Sequence, residues 1–208
     1  IISTGAWTLC VQIIYTAKMN VPTMIISASL GLLAVSEFSI VQKLTGLLAT
    51  MVGMALQPLW VVYGEAYYRG DREWIEKTLT RSLQVVLVLT GAAAIAFQYV
   101  GQWLITAWIG DGVLPSLALI AGFSLWMITS NINICFVMLL NGTGNFKRQA
   151  MYSIFCVGGA LLLVAELVED VGLVGVILII FLMAELMRLP FNYFETKRIV
   201  NHLDKKVD

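Results

Sequence analysis

The chain has 208 residues, of which 59% are hydrophobic and only 12% are charged. Because a soluble domain has about 25% charged residues, this composition argues against one and predicts a surface that contacts lipid. The formal net charge of +0 gives no overall excess of Lys and Arg of the kind that binds nucleic acid.

The basic residues are concentrated in three short stretches. These hold ten of the thirteen Lys and Arg residues: Arg69, Arg72, Lys77 and Arg81; Lys147 and Arg148; and Lys197, Arg198, Lys205 and Lys206. The connections between them carry only acids: Glu37; Asp111; and Glu166, Glu169 and Asp170. Short loops rich in Lys and Arg stay on the cytoplasmic side of a membrane. The alternation therefore predicts six crossings with both termini in the cytoplasm.

The uncharged runs between these stretches are long enough to span a bilayer. Residues 82–110 and 112–146 contain no charge, and a hydrocarbon core needs about 20 helical residues. Turn signals such as Leu30-Gly31 and Val171-Gly172 indicate helix ends. We predict an all-α, polytopic membrane protein with six transmembrane helices at about 4–31, 37–66, 77–101, 113–140, 147–166 and 172–198.

No catalytic pattern is present in the sequence. Cys10, Cys135 and Cys156 lie singly in apolar segments, and the one histidine, His202, lies in the polar C-terminal tail. Neither metal-ligand spacing nor a nucleophile-histidine or phosphate-loop motif occurs. We expect a protein that is not an enzyme and that uses no metal or cofactor.

Polar residues inside the second predicted helix share one face. Their spacings of 4, 3, 4, 3 and 4 place them together on a helical surface, and they are Ser39, Lys43, Gly46, Thr50, Gly53 and Gln57. Small residues of this kind allow close helix packing, and a polar face can also line a water-filled cavity. Because a lysine is costly in lipid, Lys43 favours the cavity.

Charged residues also occur in the first and last predicted helices. Pro22 is expected to kink the first helix near mid-membrane, because its ring collides with the carbonyl of Lys18. The sequence leaves open whether Lys18 reaches the same cavity as Lys43. In the last helix, Glu185 and Arg188 can form a local ion pair near the inner interface or line a cavity.

Two further residues bear on the proposed cavity. Pro190 loosens the backbone beside Glu185 and Arg188. Asn133 of the fourth helix either lines the cavity or hydrogen-bonds neighbouring helices.

Three segments carry a family resemblance. Residues 57–74, QPLWVVYGEAYYRGDREW, resemble the membrane-exit stretch after the eighth helix of bacterial polysaccharide transporters. These are oligosaccharide-lipid flippases of the multidrug/oligosaccharidyl-lipid/polysaccharide exporter superfamily. Residues 140–147, LNGTGNFK, are similar to the loop between their tenth and eleventh helices, and residues 172–176, GLVGV, to the start of their last helix.

The resemblance implies the C-terminal lobe, helices seven to twelve, of a longer two-lobe alternating-access transporter, and the expected partner of this chain is the N-terminal lobe of the same protein. It implies flipping of a polyprenyl-pyrophosphate-linked oligosaccharide across the bacterial inner membrane. An anionic pyrophosphate needs cations and water along its path. The expected cavity residues are Lys18, Lys43, Gln57, Asn133, Glu185 and Arg188, and the expected bending points are Pro22, Pro58 and Pro190.

Four other functions stay open. A multidrug/cation antiporter of the same fold needs an acidic cavity, for which Glu185 is the one deeply placed carboxylate. A flippase for a lipid-linked murein precursor shares the fold and the cationic cavity, so substrate data are needed to separate it. An integral membrane enzyme needs clustered His, Asp or Glu near one membrane face. A structural membrane subunit leaves Lys18 and Lys43 unexplained.

Overall fold

A computed structural model describes residues 2–110 and 112–207, and the side chains of residues 5–110 and 112–203. The predicted outer residue Asp111 lies outside this part of the chain. The described chain is all-helical, which confirms the all-α part of the predicted fold class. Its elements are α1 (Ile2–Ser29), α2 (Gly31–Leu56), α3 (Leu59–Arg69), α4 (Arg72–Ile109), α5 (Leu117–Gly142), α6 (Phe146–Ile179), a π-helical segment (Ile180–Leu186) and α7 (Arg188–Val207).

Within the described residues, five helical runs are long and apolar enough to cross a membrane. They are Gly5–Ser29, Gly31–Arg69, Arg72–Ile109, Leu117–Gly142 and Phe146–Leu203. Their outer surfaces carry large apolar side chains, for example Leu32 and Tyr99, which are 80% and 84% exposed. An apolar surface of this extent is compatible with lipid rather than water. The chain therefore has the character of a multi-pass membrane protein.

The helices extend further than the sequence predicts. Glu37 was expected in a connection but lies inside α2, and Glu166, Glu169 and Asp170 lie inside α6. A helix satisfies its own backbone hydrogen bonds, so it can continue past the membrane surface and hold charged side chains outward. The predicted helices 147–166 and 172–198 lie in one run of 58 residues, Phe146–Leu203, but the dihedral angles of Gly172 are not helical and interrupt it between them.

This last run folds back on itself at Gly172. The φ of Gly172 is 60° and its ψ is −168°, a conformation that favours glycine. On either side of it, Arg148 contacts Glu195 at 2.7 Å, and the rings of Tyr152 and Phe191 stack with centroids 4.1 Å apart. These contacts pair residues that are equally distant from Gly172 along the chain. The two arms therefore form an antiparallel helical hairpin.

Helix α5 is the centre of the bundle. In its most apolar stretch of 18 residues, 67% of the residues are buried, compared with 17–28% in the corresponding stretches of the other four runs. Its Phe123 packs edge-on against Phe38 of α2, with ring centroids 4.9 Å apart. Near its end, the backbone at Gly142 approaches α3 so closely that a Cβ there would lie 2.6 Å from the carbonyl oxygen of Trp60. Side chains on α5 are therefore the ones that can reach several helices at once.

Two short breaks fall within the segment that carries the main resemblance. At Pro58 the dihedral angles stay helical, but the N–H of Trp60 reaches back only to the carbonyl of Gln57, at 3.3 Å. Gly70 then ends α3 with a φ of 75°, and the carboxylate of Asp71 accepts the N–H of Trp74 to begin α4. The Arg-Gly-Asp sequence therefore has a structural role as a helix stop and start.

The three basic stretches meet at one end of the bundle. Tyr67, close to the first stretch, lines a groove with Arg148 of the second and Arg198 of the third. The carboxylate of Glu195 lies 2.7 Å from Arg148 and 3.5 Å from Arg198. The acids beside Gly172 lie at the other end of the hairpin, so the charge alternation in the sequence becomes an end-to-end asymmetry in space.

Candidate functional site

A buried ion pair joins the first helix to the last part of the chain. The ammonium group of Lys18 on α1 donates to Oε1 of Glu185, and these residues are 4% and 0% exposed. Two aromatic rings flank the ammonium, with centroids 5.2 Å away in Tyr15 and 5.8 Å away in Trp126. The pair therefore neutralises both charges inside an otherwise apolar bundle.

Asparagine side chains extend this pair into a network. The amide of Asn133, on the central helix α5, donates to Oε2 of Glu185 at 2.9 Å and to its backbone carbonyl at 3.0 Å. Asn192 of α7 in turn donates to Oδ1 of Asn133 at 2.8 Å. Both carboxylate oxygens of Glu185 are thus occupied. Asn133 therefore hydrogen-bonds neighbouring helices, and it also lines a cavity beside them.

The π-helical segment explains why Glu185 is placed to accept these bonds. Pro190 has no N–H to offer the carbonyls four and five residues earlier, those of Leu186 and Glu185. The carbonyl of Glu185 accepts from Asn133, and that of Met187 accepts from the hydroxyl of Tyr152 at 3.1 Å. Side chains of other helices thus replace main-chain donors around Pro190. Segments of π-helix often occur at functional sites.

Beside the network lies a cavity of about 180 Å³ between α1, α5, α6 and the π-helical segment. We call it the polar cavity. Its polar lining includes Lys18, Asn133 and Glu185 from the network, and also Arg188. Three polar side chains that the sequence analysis did not single out complete it: Ser130, Gln149 and Ser153.

Four of the six predicted cavity residues therefore come together, and the local ion pair that the sequence also allowed does not form. The ion pair of Glu185 joins it to Lys18, not to Arg188 one turn away. The helical spacing favoured the local partner because it says nothing about which other helix lies opposite. Arg188 lines the polar cavity without a hydrogen bond or an ion pair to any described residue.

The other two predicted residues lie on a separate surface. Lys43 and Gln57 are exposed on α2, together with Thr50, and they do not line the polar cavity. Lys43 is 12 residues from the start of α2 and 13 from its end, which is about 20 Å from either end. We call Ser39, Lys43, Gly46, Thr50, Gly53 and Gln57 the polar face of α2.

The proposed bending points have different surroundings. Pro22 is buried inside α1, which continues as a helix to Ser29, whereas Pro58 and Pro190 are exposed at a junction between helices or near one. Bending at any of them during function stays a prediction.

Ser130, Gln149 and Ser153 were missed because single polar residues in apolar helices give no periodic signal. Gln149 also follows directly after the basic pair Lys147 and Arg148, near the start of the predicted helix 147–166. In the structure it is 2% exposed.

Among the residues that the structure describes, no three His, Cys, Asp or Glu side chains lie close enough together to hold a metal ion. Comparison of the chain with protein-family models, curated proteins and solved structures gave no match.

Proposed function

We propose that this chain is one lobe of a membrane transporter that flips a polyprenyl-pyrophosphate-linked oligosaccharide across the bacterial inner membrane. The lobe has six crossings when the hairpin at Gly172 is counted as two. Its basic end faces the cytoplasm, as the distribution of Lys and Arg favours. The resemblance of residues 57–74 and 140–147 to polysaccharide transporters supports the substrate class.

The observation that carries the proposal is the position of Lys43. It lies midway along α2, 12 residues from the start of the membrane-length run Gly31–Arg69, and its side chain is exposed on the outside of the lobe. A lysine at that depth costs roughly 2.5 to 3.5 kcal/mol on insertion scales when it faces lipid. Facing water or an anionic substrate removes that cost. The polar face of α2 is therefore the proposed wall of the transport path.

A second lobe would enclose this path. The polar face of α2 leaves Lys43, Thr50 and Gln57 exposed, so another protein surface opposite it would form a water-filled cavity between two lobes. Alternating exposure of that cavity to the two sides of the membrane would then move the substrate.

The state of Glu185 distinguishes this proposal from a multidrug/cation antiporter. An antiporter needs a carboxylate that is free to bind a cation, and both oxygens of Glu185 already have partners in Lys18 and Asn133. This favours an anionic substrate. A murein-precursor flippase shares that chemistry and is separated from the proposal by the substrate used in the test.

The test is the substitution Lys43→Met in the two-lobe transporter. We expect normal membrane levels and transport of lipid-linked oligosaccharide into liposomes that falls at least tenfold, because the charge facing the substrate is lost. Lys43→Arg should retain part of the activity, since it keeps the positive charge.

The matched control is Lys77→Met, the same change at an exposed lysine on α4 in the basic end of the bundle. It should transport normally. Full transport by Lys43→Met at normal expression would contradict the proposed path. Transport of murein precursor in place of lipid-linked oligosaccharide would reassign the substrate.

A further inference from the structure

The polar cavity has an unbalanced charge. Two cations, Lys18 and Arg188, and one carboxylate, Glu185, line it. The ammonium of Lys18 is bonded to Glu185, which also attracts the guanidinium of Arg188 without forming an ion pair with it, so the lining carries one positive charge in excess. In a bundle surrounded by lipid, an uncompensated cation needs water or an anion beside it.

Three other side chains in this cavity also lack partners. Ser130, Gln149 and Ser153 are 8%, 2% and 4% exposed, yet none has a hydrogen bond to another described residue. Several hydroxyl groups elsewhere in the bundle do have partners: those of Thr45, Thr90 and Thr129 each donate to a carbonyl four residues back at 2.7 Å. The buried hydroxyls of Ser124 and Thr196 have none, but neither of them lines the polar cavity. Buried polar groups are normally satisfied. Unpartnered groups around one cavity therefore indicate something that they bind.

We propose that the polar cavity binds a small monovalent inorganic anion of the chloride type. The guanidinium supplies the positive charge and the two hydroxyls supply further donors, while the buried Oε1 of Gln149 is an acceptor that a water beside the ion would satisfy. A volume of about 180 Å³ admits one such ion with several waters. The occupied carboxylate of Glu185 leaves the site with one positive charge. This site is independent of the proposed transport path along α2.

The test measures thermal unfolding of the purified full chain in lipid nanodiscs, in chloride, bromide, phosphate or gluconate at matched ionic strength. Matching the ionic strength cancels general screening of surface charges. A ligand that binds the folded state raises Tm. We expect chloride and bromide to raise Tm by roughly 2–4 °C or more above gluconate.

Three variants locate the effect. Arg188→Met should remove the halide response, and Ser153→Ala should raise the half-saturating chloride concentration at least tenfold. Arg198→Met makes the same change on the same helix but outside the polar cavity, and it should respond like the native chain. If Arg188→Met does not fold, the chloride response of Ser153→Ala tests the site, because removing one hydroxyl leaves all the charges in place.

Equal Tm values in chloride and gluconate would show a cavity that holds water only and would overturn the proposal. The same conclusion follows if Arg188→Met and Arg198→Met respond alike, or if phosphate stabilises the chain and chloride does not. Crystals grown in bromide should show an anomalous peak between Arg188 and Ser153. Transport is measured separately, so a negative result here leaves the proposed function standing.

Discussion

Lys18 and Glu185 show how one ion pair can connect distant parts of a membrane chain. They are 167 positions apart in sequence and meet beside the central helix. Breaking a buried pair by removing one partner is costly because the other charge is left uncompensated, whereas removing both is much milder. The pair therefore specifies how α1 sits against the hairpin more than it adds stability.

A double-mutant cycle tests this role. We expect Lys18→Met and Glu185→Gln each to lower the free energy of unfolding by about 3–5 kcal/mol. The double variant should lose much less free energy of unfolding than the two single variants lose together, since neither buried charge remains. Denaturant unfolding of the purified chain, monitored by tryptophan fluorescence, measures the free energy of unfolding of all three variants.

Lys43→Met is the control for this cycle, because its exposed side chain has no buried counter-charge. It should leave the free energy of unfolding within about 0.5 kcal/mol of the native value. Additive losses in the double variant would show that Lys18 and Glu185 do not stabilise each other.

At the scale of the elements, the sequence predicts where apolar runs lie better than where helices end. The turn signal at Val171-Gly172 is correct, because a glycine with positive φ reverses the chain there. The position of Glu37 is wrong, because a charged side chain can point away from lipid while its helix continues. The cavity residues Ser130 and Ser153 could not be found, since their association depends on how α5 and α6 rotate against each other.

Gly172 allows a matched test of the hairpin. A Cβ at Gly172 or at Gly158 would meet nothing within 4 Å, but Gly172 alone of the two has a positive φ, 60°. Gly172→Ala should therefore lower the free energy of unfolding by about 1–3 kcal/mol through backbone strain. Gly158→Ala, inside a helix, should be neutral or raise it by up to about 1 kcal/mol. Denaturant unfolding of the two variants gives the comparison.

Similar behaviour of the two alanine variants would show that the turn does not require the conformation of Gly172. A loss at Gly172 alone would confirm that the fold-back depends on one backbone position. The hairpin holds Glu185 and Arg188 against α1 and α5, so the geometry of the polar cavity depends on the same turn.

At the scale of the whole molecule, the bundle has two distinct ends and two distinct polar regions. The second and third basic stretches meet in the groove that Tyr67, Arg148 and Arg198 line, and the first stretch begins two residues after Tyr67. Glu169 and Asp170 lie beside Gly172 at the opposite end. Between the ends, the polar cavity lies between helices of the lobe, whereas the polar face of α2 is on its outer surface. A second lobe could cover the polar face of α2 without disturbing the buried network.

The direction of the bundle in the membrane follows from its charged ends and can be measured by single-cysteine labelling. In a background in which Cys10, Cys135 and Cys156 are replaced by alanine, we expect Glu169→Cys to react with a membrane-impermeant thiol reagent added outside the cell. Glu73→Cys and Lys147→Cys should react only after the membrane is permeabilised, because basic loops stay inside. All three side chains are exposed, so differences in labelling report the side of the membrane rather than burial. Labelling of Lys147→Cys from outside in intact cells would overturn both the orientation and the count of six crossings.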